Sequence, residues 1–229
     1  MQIGFIGLGS MGAAIAGNLF ASGHELCVFN RSPARRIDPR TLGDGWNYTE
    51  SPQRYPFDSG RLRRVIETAA KEAGWGSKLP AGQGLGIAAH YSFVTYVAAV
   101  VQVAVNEKGE VAIPRVDVAV DCGPQVNPER IVAQFEGACV MGIGNALLSA
   151  ISFKAGRVVQ ANFNDYQVAR MNVAPRDIRV HLIASDFGVP LGGVGEPGVP
   201  PIAPALCYAI FAATGKRIRS LPIADQLSV

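Results

Sequence analysis

Three glycines near the N-terminus, Gly7, Gly9 and Gly12, follow a short apolar run and precede a segment of small residues. The apolar run at residues 2–7 predicts a strand, and residues 13–22 predict a helix that ends at Gly23. In a strand–turn–helix unit, glycines at this spacing make the turn, let a pyrophosphate approach the backbone and permit close helix packing. A second predicted strand at residues 25–29 makes this the opening βαβ pattern of a dinucleotide-binding fold.

Arg31 stands after the second predicted strand, where an acidic residue usually binds the ribose hydroxyls of NAD. An arginine at this position suits the 2′-phosphate of NADP. The opening resembles the 3-hydroxyisobutyrate dehydrogenase and 6-phosphogluconate dehydrogenase-like family, through IGFIGLGSMGAAIAGNL and the strand leading to FNRSP. The resemblance ends near Arg35, so we predict a truncated βαβ unit over residues 1–35. Two strands and one helix leave much of a sheet uncovered, which argues against tight nucleotide binding.

The composition of the chain changes after Arg36, where several turn-forming residues lie close together in the sequence. We therefore predict a second domain over residues 36–229. Its amphipathic pattern at residues 61–73 predicts a helix, and apolar, β-branched runs predict strands at 84–89, 93–105 and 112–121. The last two runs flank a turn at residues 106–109, which indicates a hairpin.

Asn127 and Pro128 begin a predicted helix over residues 128–149, because asparagine is a good N-cap and proline suits the first turn. Further strands are predicted at residues 151–153, 157–160 and 178–185. A glycine-rich loop at 192–198 leads to a last helix at 201–214. The predicted fold class is α+β with a mixed sheet.

Three separated motifs resemble the molybdopterin-binding large subunits of the xanthine dehydrogenase and aldehyde oxidase family. They are DCG at 121–123 with NP at 127–128, QFEG at 134–137 with GIG at 142–144, and GEP at 195–197 before an alanine-rich helix. Their order and approximate spacing also match. Longer segments of the sequence, such as GLGIAAHYSFVTYVA, are most similar to isoquinoline 1-oxidoreductase β subunits. The resemblance implies a C-terminal fragment of a molybdopterin-binding domain.

The resemblance gives Glu196 the role of a base beside molybdenum, where it helps a water-derived oxygen attack an electron-poor carbon. The alternative is that this carboxylate only caps the following helix. The resemblance also implies that five residues contact the cofactor: Gln134, Gly137, Gly142, Gly144 and Gly195. For the residues on the predicted helix, the alternative is that small side chains let the helix pack closely against its neighbours. The implied cofactor is a molybdenum–molybdopterin, in a dinucleotide form, and NADP is the alternative cofactor for the N-terminal unit.

Four cysteines lie far apart without a CxxC pair, and the three histidines lack metal-ligand spacing, so we predict no side-chain metal site. The family resemblance implies that electrons leave through a separate iron–sulfur small subunit, and that the missing large-subunit regions complete the site. The net charge of +3 comes from 21 basic and 18 acidic residues without a long run of one sign. This balance favours a small-molecule substrate over nucleic acid or a membrane surface. The absence of a signal-peptide pattern predicts a cytoplasmic location.

Three functional interpretations follow. The first is a molybdenum hydroxylase fragment, which oxidises N-heteroaromatic or aldehyde substrates with water-derived oxygen when completed and is inactive alone. The second is an NADP-dependent 3-hydroxyacid dehydrogenase-like fragment. The third is a non-enzymatic chimeric remnant that joins a dehydrogenase start to a hydroxylase end.

Overall fold

The computed structural model describes residues 2–6, 25–29, 57–185, 187–223 and 226–227, and only the backbone is described for the first two segments. The chain divides into two compact units, Met1–Gly60 and Arg61–Val229. In the first unit, β1 (Gln2–Ile6) and β2 (Glu25–Phe29) pair in parallel, so the two predicted strands are confirmed. The predicted domain boundary near residue 36 stays a prediction.

The second unit is built on a four-stranded mixed sheet. Its strands are β3 (Gln83–Ser92), β4 (Thr95–Val105), β5 (Val111–Asp121) and β8 (Asp177–Leu182), in the spatial order β3-β4-β5-β8. The first three strands run antiparallel, and β8 lies parallel to β5. A separate exposed hairpin joins β6 (Phe153–Lys154) and β7 (Arg157–Val158). The predicted α+β class and mixed sheet are confirmed.

Three helices complete the described part of this unit: α1 (Ser59–Ala73), α2 (Pro128–Leu147) and α3 (Ile202–Thr214). The Asn127 side chain caps α2 by accepting a 3.2 Å hydrogen bond from the backbone N–H of Arg130, as the sequence predicts. Among the described residues, no helix is long and apolar enough to span a lipid bilayer.

Strand β4 is buried on both faces over residues 95–101, which explains why most of its residues are apolar. On one face, alternate valines such as Val97 and Val101 join the main core with Phe135 of α2 and Leu206 of α3. Gly86 of β3 lies directly beneath the Ala205 carbonyl of α3, so a β-carbon there would overlap the helix backbone. Gly86, together with Gly84 on the same strand, therefore lets α3 pack closely against the sheet.

On the other face of β4, Tyr96 contacts the guanidinium of Arg61, which lies 4.6 Å from the ring centroid. The same guanidinium donates to both carboxylate oxygens of Asp121, at 2.9 and 2.6 Å. Burial alone would raise the pKa of Asp121, but the hydrogen bond and positive charge of Arg61, with donors from Gly123 and Ser185, lower it. This ion pair anchors α1 to the end of β5, where the loop to α2 begins.

Several predicted strand bounds are wrong: the strands predicted at 151–153, 157–160 and 178–185 are observed at Phe153–Lys154, Arg157–Val158 and Asp177–Leu182. A further error concerns the turn between β3 and β4. The pattern of residues 93–105 predicts a continuous strand, but Phe93 and Val94 form the tight turn between β3 and β4, with φ of 51° and 64°. A β-branched residue rarely adopts positive φ, because its β-carbon crowds the backbone. Because both residues have apolar side chains that are typical of strands, the sequence pattern did not indicate this turn.

Candidate cofactor-binding loop

The loop that carries Glu196 is fixed to the tip of the β3–β4 hairpin. The backbone N–H of Gly193 donates a 2.8 Å hydrogen bond to the Phe93 carbonyl, and the buried Thr95 hydroxyl donates a 2.7 Å bond to the Gly193 carbonyl. A β-carbon on Gly192 would overlap the Thr95 hydroxyl oxygen. Glycine at position 192 is thus required by close contact with the hairpin.

The same loop is fixed to α2 on its other side. The Gln134 side-chain amide donates a 2.8 Å hydrogen bond to the Gly195 carbonyl. Two residues beyond Glu196, Gly198 is buried, and a β-carbon there would lie 2.7 Å from Cδ1 of Phe135 and 2.8 Å from the β-carbon of Ala138. Contacts with two separate elements therefore hold the backbone on either side of Glu196.

Glu196 itself is exposed, between exposed Gly195 and buried Pro197. Its carbonyl accepts a 3.0 Å hydrogen bond from the N–H of Val199, which closes a turn before α3. Helix α3 begins without a side-chain cap. Within the described residues, the Glu196 carboxylate makes no hydrogen bond or ion pair, so it forms no side-chain hydrogen bond that caps α3. The carboxylate is available to take or give a proton at the surface of this loop.

The glycines of α2 fall into two groups. A β-carbon on Gly142 would lie 2.7 Å from the β-carbon of Ile202, and one on Gly144 would lie 3.1 Å from the backbone nitrogen of Ala169. Close packing explains these two glycines without a cofactor. By contrast, Gly137 is exposed, and a β-carbon there would have no neighbouring heavy atom within 4 Å. It lies one helical turn after Gln134, on the same side of the helix.

The remaining predicted site residues, Gly7, Gly9, Gly12 and Arg31, lie outside the described residues. In the part of the chain that the structure describes, no group of three or more histidine, cysteine, aspartate or glutamate side chains could hold a metal ion. The described arrangement therefore brings together Gln134, Gly195 and Glu196, and places Gly137 beside them.

The sequence did not reveal the role of Thr95. It follows an apolar turn and begins a strand, so its hydroxyl had no visible partner, and the Gly193 carbonyl it meets is 98 residues away. The adjacent glycines at 192 and 193 signal a close backbone approach, but they do not identify the approaching element. Only the fold shows that this element is the β3–β4 hairpin.

Comparison with known families adds to this geometry. Residues 61–175 match the model of the molybdopterin cofactor-binding domain. This chain belongs to that family. Residues 2–56 match the NAD binding domain of 6-phosphogluconate dehydrogenase, as the N-terminal glycine motif indicates. The molybdopterin-family match begins at Arg61, the first residue of the second compact unit.

Individual relatives agree with the family assignment. The chain is 33% identical over 175 residues to the isoquinoline 1-oxidoreductase subunit beta of Brevundimonas diminuta, which covers 74% of this chain and 22% of that protein. It is 29% identical over 182 residues to the aldehyde oxidoreductase molybdenum-binding subunit PaoC of Escherichia coli, covering 75% and 25% of the two chains. The chain thus spans about a quarter or less of these relatives.

A solved structure shows the same fold. Quinoline 2-oxidoreductase from Pseudomonas putida 86 superposes with a TM-score of 0.53 and 22% identity. The superposition covers 58% of this chain and 18% of that one. At this identity the match supports the fold of the domain alone.

Proposed function

We propose that residues 61–229 form the part of a molybdenum hydroxylase large subunit that presents the catalytic base to the cofactor, with Glu196 as that base. The observation that carries this proposal is the exposed carboxylate on a loop fixed from both sides, by Thr95 and by Gln134. A general base works best when its backbone is already held in place before the reaction.

The surface around Glu196 fits a pterin cofactor. The open position at Gly137 leaves room above α2, and the Gln134 amide, held by Gly195, keeps its carbonyl oxygen without a hydrogen-bond partner in the described chain. A pterin has both donors and acceptors along its edge, and a primary amide complements either. We therefore place Gln134, Gly137 and Gly195 against the cofactor. Gly142 and Gly144 instead let α2 pack closely against Ile202 and Ala169.

A bound molybdenum–pterin would supply the two-electron redox centre. The net reaction converts a carbon–hydrogen bond and one water into a carbon–hydroxyl group, two protons and two electrons. Glu196 would take one of these protons at a carboxylate oxygen as the water-derived oxygen attacks the carbon. The electrons would leave through an iron–sulfur partner subunit, and regions of the large subunit beyond this chain would complete the substrate pocket. A single base without that surrounding shell gives no useful rate, so this chain is inactive alone.

N-heteroaromatic rings are the substrate class that we favour, because the isoquinoline 1-oxidoreductase subunit is 33% identical to this chain. Aldehydes are the second class, as the name of the aldehyde oxidoreductase subunit suggests. Both classes offer an electron-poor carbon to a water-derived nucleophile.

A hybrid subunit tests the proposal. Residues 61–229 would replace the equivalent segment of the Brevundimonas diminuta subunit, and the hybrid would be expressed with that enzyme's partner polypeptides. We expect molybdenum and pterin contents near those of the parent enzyme and measurable isoquinoline oxidation. A hybrid that folds and assembles but contains neither molybdenum nor pterin would contradict the cofactor-binding proposal.

The match of residues 2–56 to an NAD-binding model supports a second candidate, nucleotide binding by the N-terminal unit. In this alternative Arg31 selects NADP over NAD. Calorimetric titration of the full chain with NADPH and NADH tests it, and Gly9→Ala should remove the heat of binding because the side chain would block the pyrophosphate. No heat with either nucleotide would instead favour a chimeric remnant for residues 1–56.

A further inference from the structure

An open groove of about 380 Å³ lies between α3 and the chain that follows it. Cys207 and Phe211 of α3 line one wall, and Ile218 and Leu221 line the other. This volume falls within the range of small-molecule sites. No residue of the 192–198 loop or of α2 lines the groove, so it is separate from the Glu196 site.

The polar edge of the groove is basic. Arg217 and Arg219 both line it, and none of the described residues that line it is an aspartate or glutamate. The Arg217 guanidinium lies 3.9 Å from the ring centroid of Phe211, which fixes one positive charge above an aromatic wall. Neither arginine forms an ion pair within the described residues. The groove therefore combines an apolar surface with two available guanidinium groups.

We propose that this groove binds a small aromatic carboxylate. The ring would lie between the apolar side chains of the two walls, Cys207 and Phe211 on one and Leu221 on the other, and the carboxylate would meet Arg217 and Arg219. A planar guanidinium recognises a carboxylate through paired hydrogen bonds, which distinguishes the acid from a neutral molecule of the same shape. Binding in this groove does not require the function proposed for Glu196.

Cys207 reports on occupancy of the groove, because its thiol is free, half-buried and part of the wall. Burial raises the pKa of this thiol, which lowers the fraction of reactive thiolate. The full chain would be treated with iodoacetamide at pH 8, and the modified Cys207 peptide would be quantified by mass spectrometry. The probe is 1-naphthoate, and 1-naphthalenemethanol is the uncharged control.

We expect saturating 1-naphthoate to slow Cys207 alkylation several-fold, with little effect from the alcohol. The double substitution Arg217→Gln and Arg219→Gln should abolish this protection. Lys216→Gln is the matched control, because it also removes a positive charge but does not line the groove. All these side chains are exposed, so the variants should keep the parent melting temperature.

Four outcomes would overturn the proposal. Three concern the probes: no protection by 1-naphthoate, equal protection by the neutral alcohol, and protection that survives the double arginine substitution. Alkylation that slows with protein concentration in the absence of any probe would assign the groove to a second copy of the chain, and would also reject the carboxylate site.

Discussion

The side-chain amide of Gln134 donates a 2.8 Å hydrogen bond to the carbonyl of Gly195, the residue before Glu196. This bond joins the middle of one helix to a loop 61 residues later in the chain. Thr95 holds the same loop at Gly193 from the opposite element, the β3–β4 hairpin. These two attachments hold the backbone directly before Glu196 and so position its carboxylate.

Removing the first attachment should loosen the loop without unfolding the domain. In Gln134→Ala we expect faster amide hydrogen exchange over residues 193–199, measured by mass spectrometry. The unfolding free energy should change by only about 1 kcal/mol, because one exposed hydrogen bond contributes little net stability. Glu136→Ala is the matched control on the same helix and should leave exchange in the loop unchanged. Unaltered exchange in Gln134→Ala would show that this bond does not hold the loop.

Two glycines of α2 should respond oppositely to alanine. Gly142→Ala would place a β-carbon 2.7 Å from that of Ile202, so we expect a loss of about 1–3 kcal/mol from overpacking. Gly137→Ala meets open space and should gain up to about 1 kcal/mol from the higher helix propensity of alanine. Urea unfolding of both variants measures the difference. Equal losses would contradict the described packing of α2.

Much of the fold could be predicted from local patterns. The amphipathic period predicted α1 within two residues of its observed start, and the Asn127–Pro128 pair marked the start of α2. The β4–β5 hairpin followed from two apolar runs around residues 106–109. Strand pairing at a distance, such as the parallel contact of β5 with β8, could not be predicted, because no local pattern specifies that Arg115 pairs with Asp177.

The candidate site was predicted less completely. The family resemblance indicated Gln134 and Glu196 as site residues. Neither the resemblance nor the spacing of motifs indicated that Thr95 holds the loop. The turn at Phe93 and Val94 also stayed hidden, since both residue types favour strands and neither favours positive φ. At such a position the tertiary contacts with Gly193 offset a local preference for extended backbone.

The positive φ of Val94, in the turn between β3 and β4, leads to a prediction about stability. Val94→Gly should raise the unfolding free energy by about 0.5–1 kcal/mol, because glycine adopts positive φ without the crowding that valine suffers. Val103→Gly, in the buried part of β4, is the control and should be destabilising. Urea unfolding distinguishes the two. A loss of stability in Val94→Gly would mean that packing of the valine side chain outweighs the backbone strain.

The ion pair between Arg61 and Asp121 should be costly to break. Both side chains are buried, so Asp121→Asn leaves the guanidinium without its counter-charge, at a cost of about 3–5 kcal/mol. Asp177→Asn, which breaks an exposed pair with Arg179, should cost less than about 1 kcal/mol. Similar small losses in the two variants would show that the buried pair is not an important anchor for α1.

The same pair predicts a pH dependence. Because the folded pKa of Asp121 is lowered, its contribution is complete above the unfolded value of 3.8 and is lost as pH falls through the lower folded pKa. The stability difference between the wild-type chain and Asp121→Asn should therefore shrink as pH falls below 3.8. Urea unfolding at several acidic pH values measures this difference. A difference that grows in acid would contradict the sign of the shift.

The most direct measurement of the central claim is the turnover number per molybdenum of the hybrid subunit that carries Glu196→Gln. We predict the parent molybdenum content with turnover reduced by roughly 10²–10⁴-fold, the usual contribution of a positioned general base. Glu136→Gln, which alters an exposed carboxylate on α2, should keep the parent rate. Turnover by Glu196→Gln at the parent rate, with molybdenum retained, would contradict the role of Glu196 as the base.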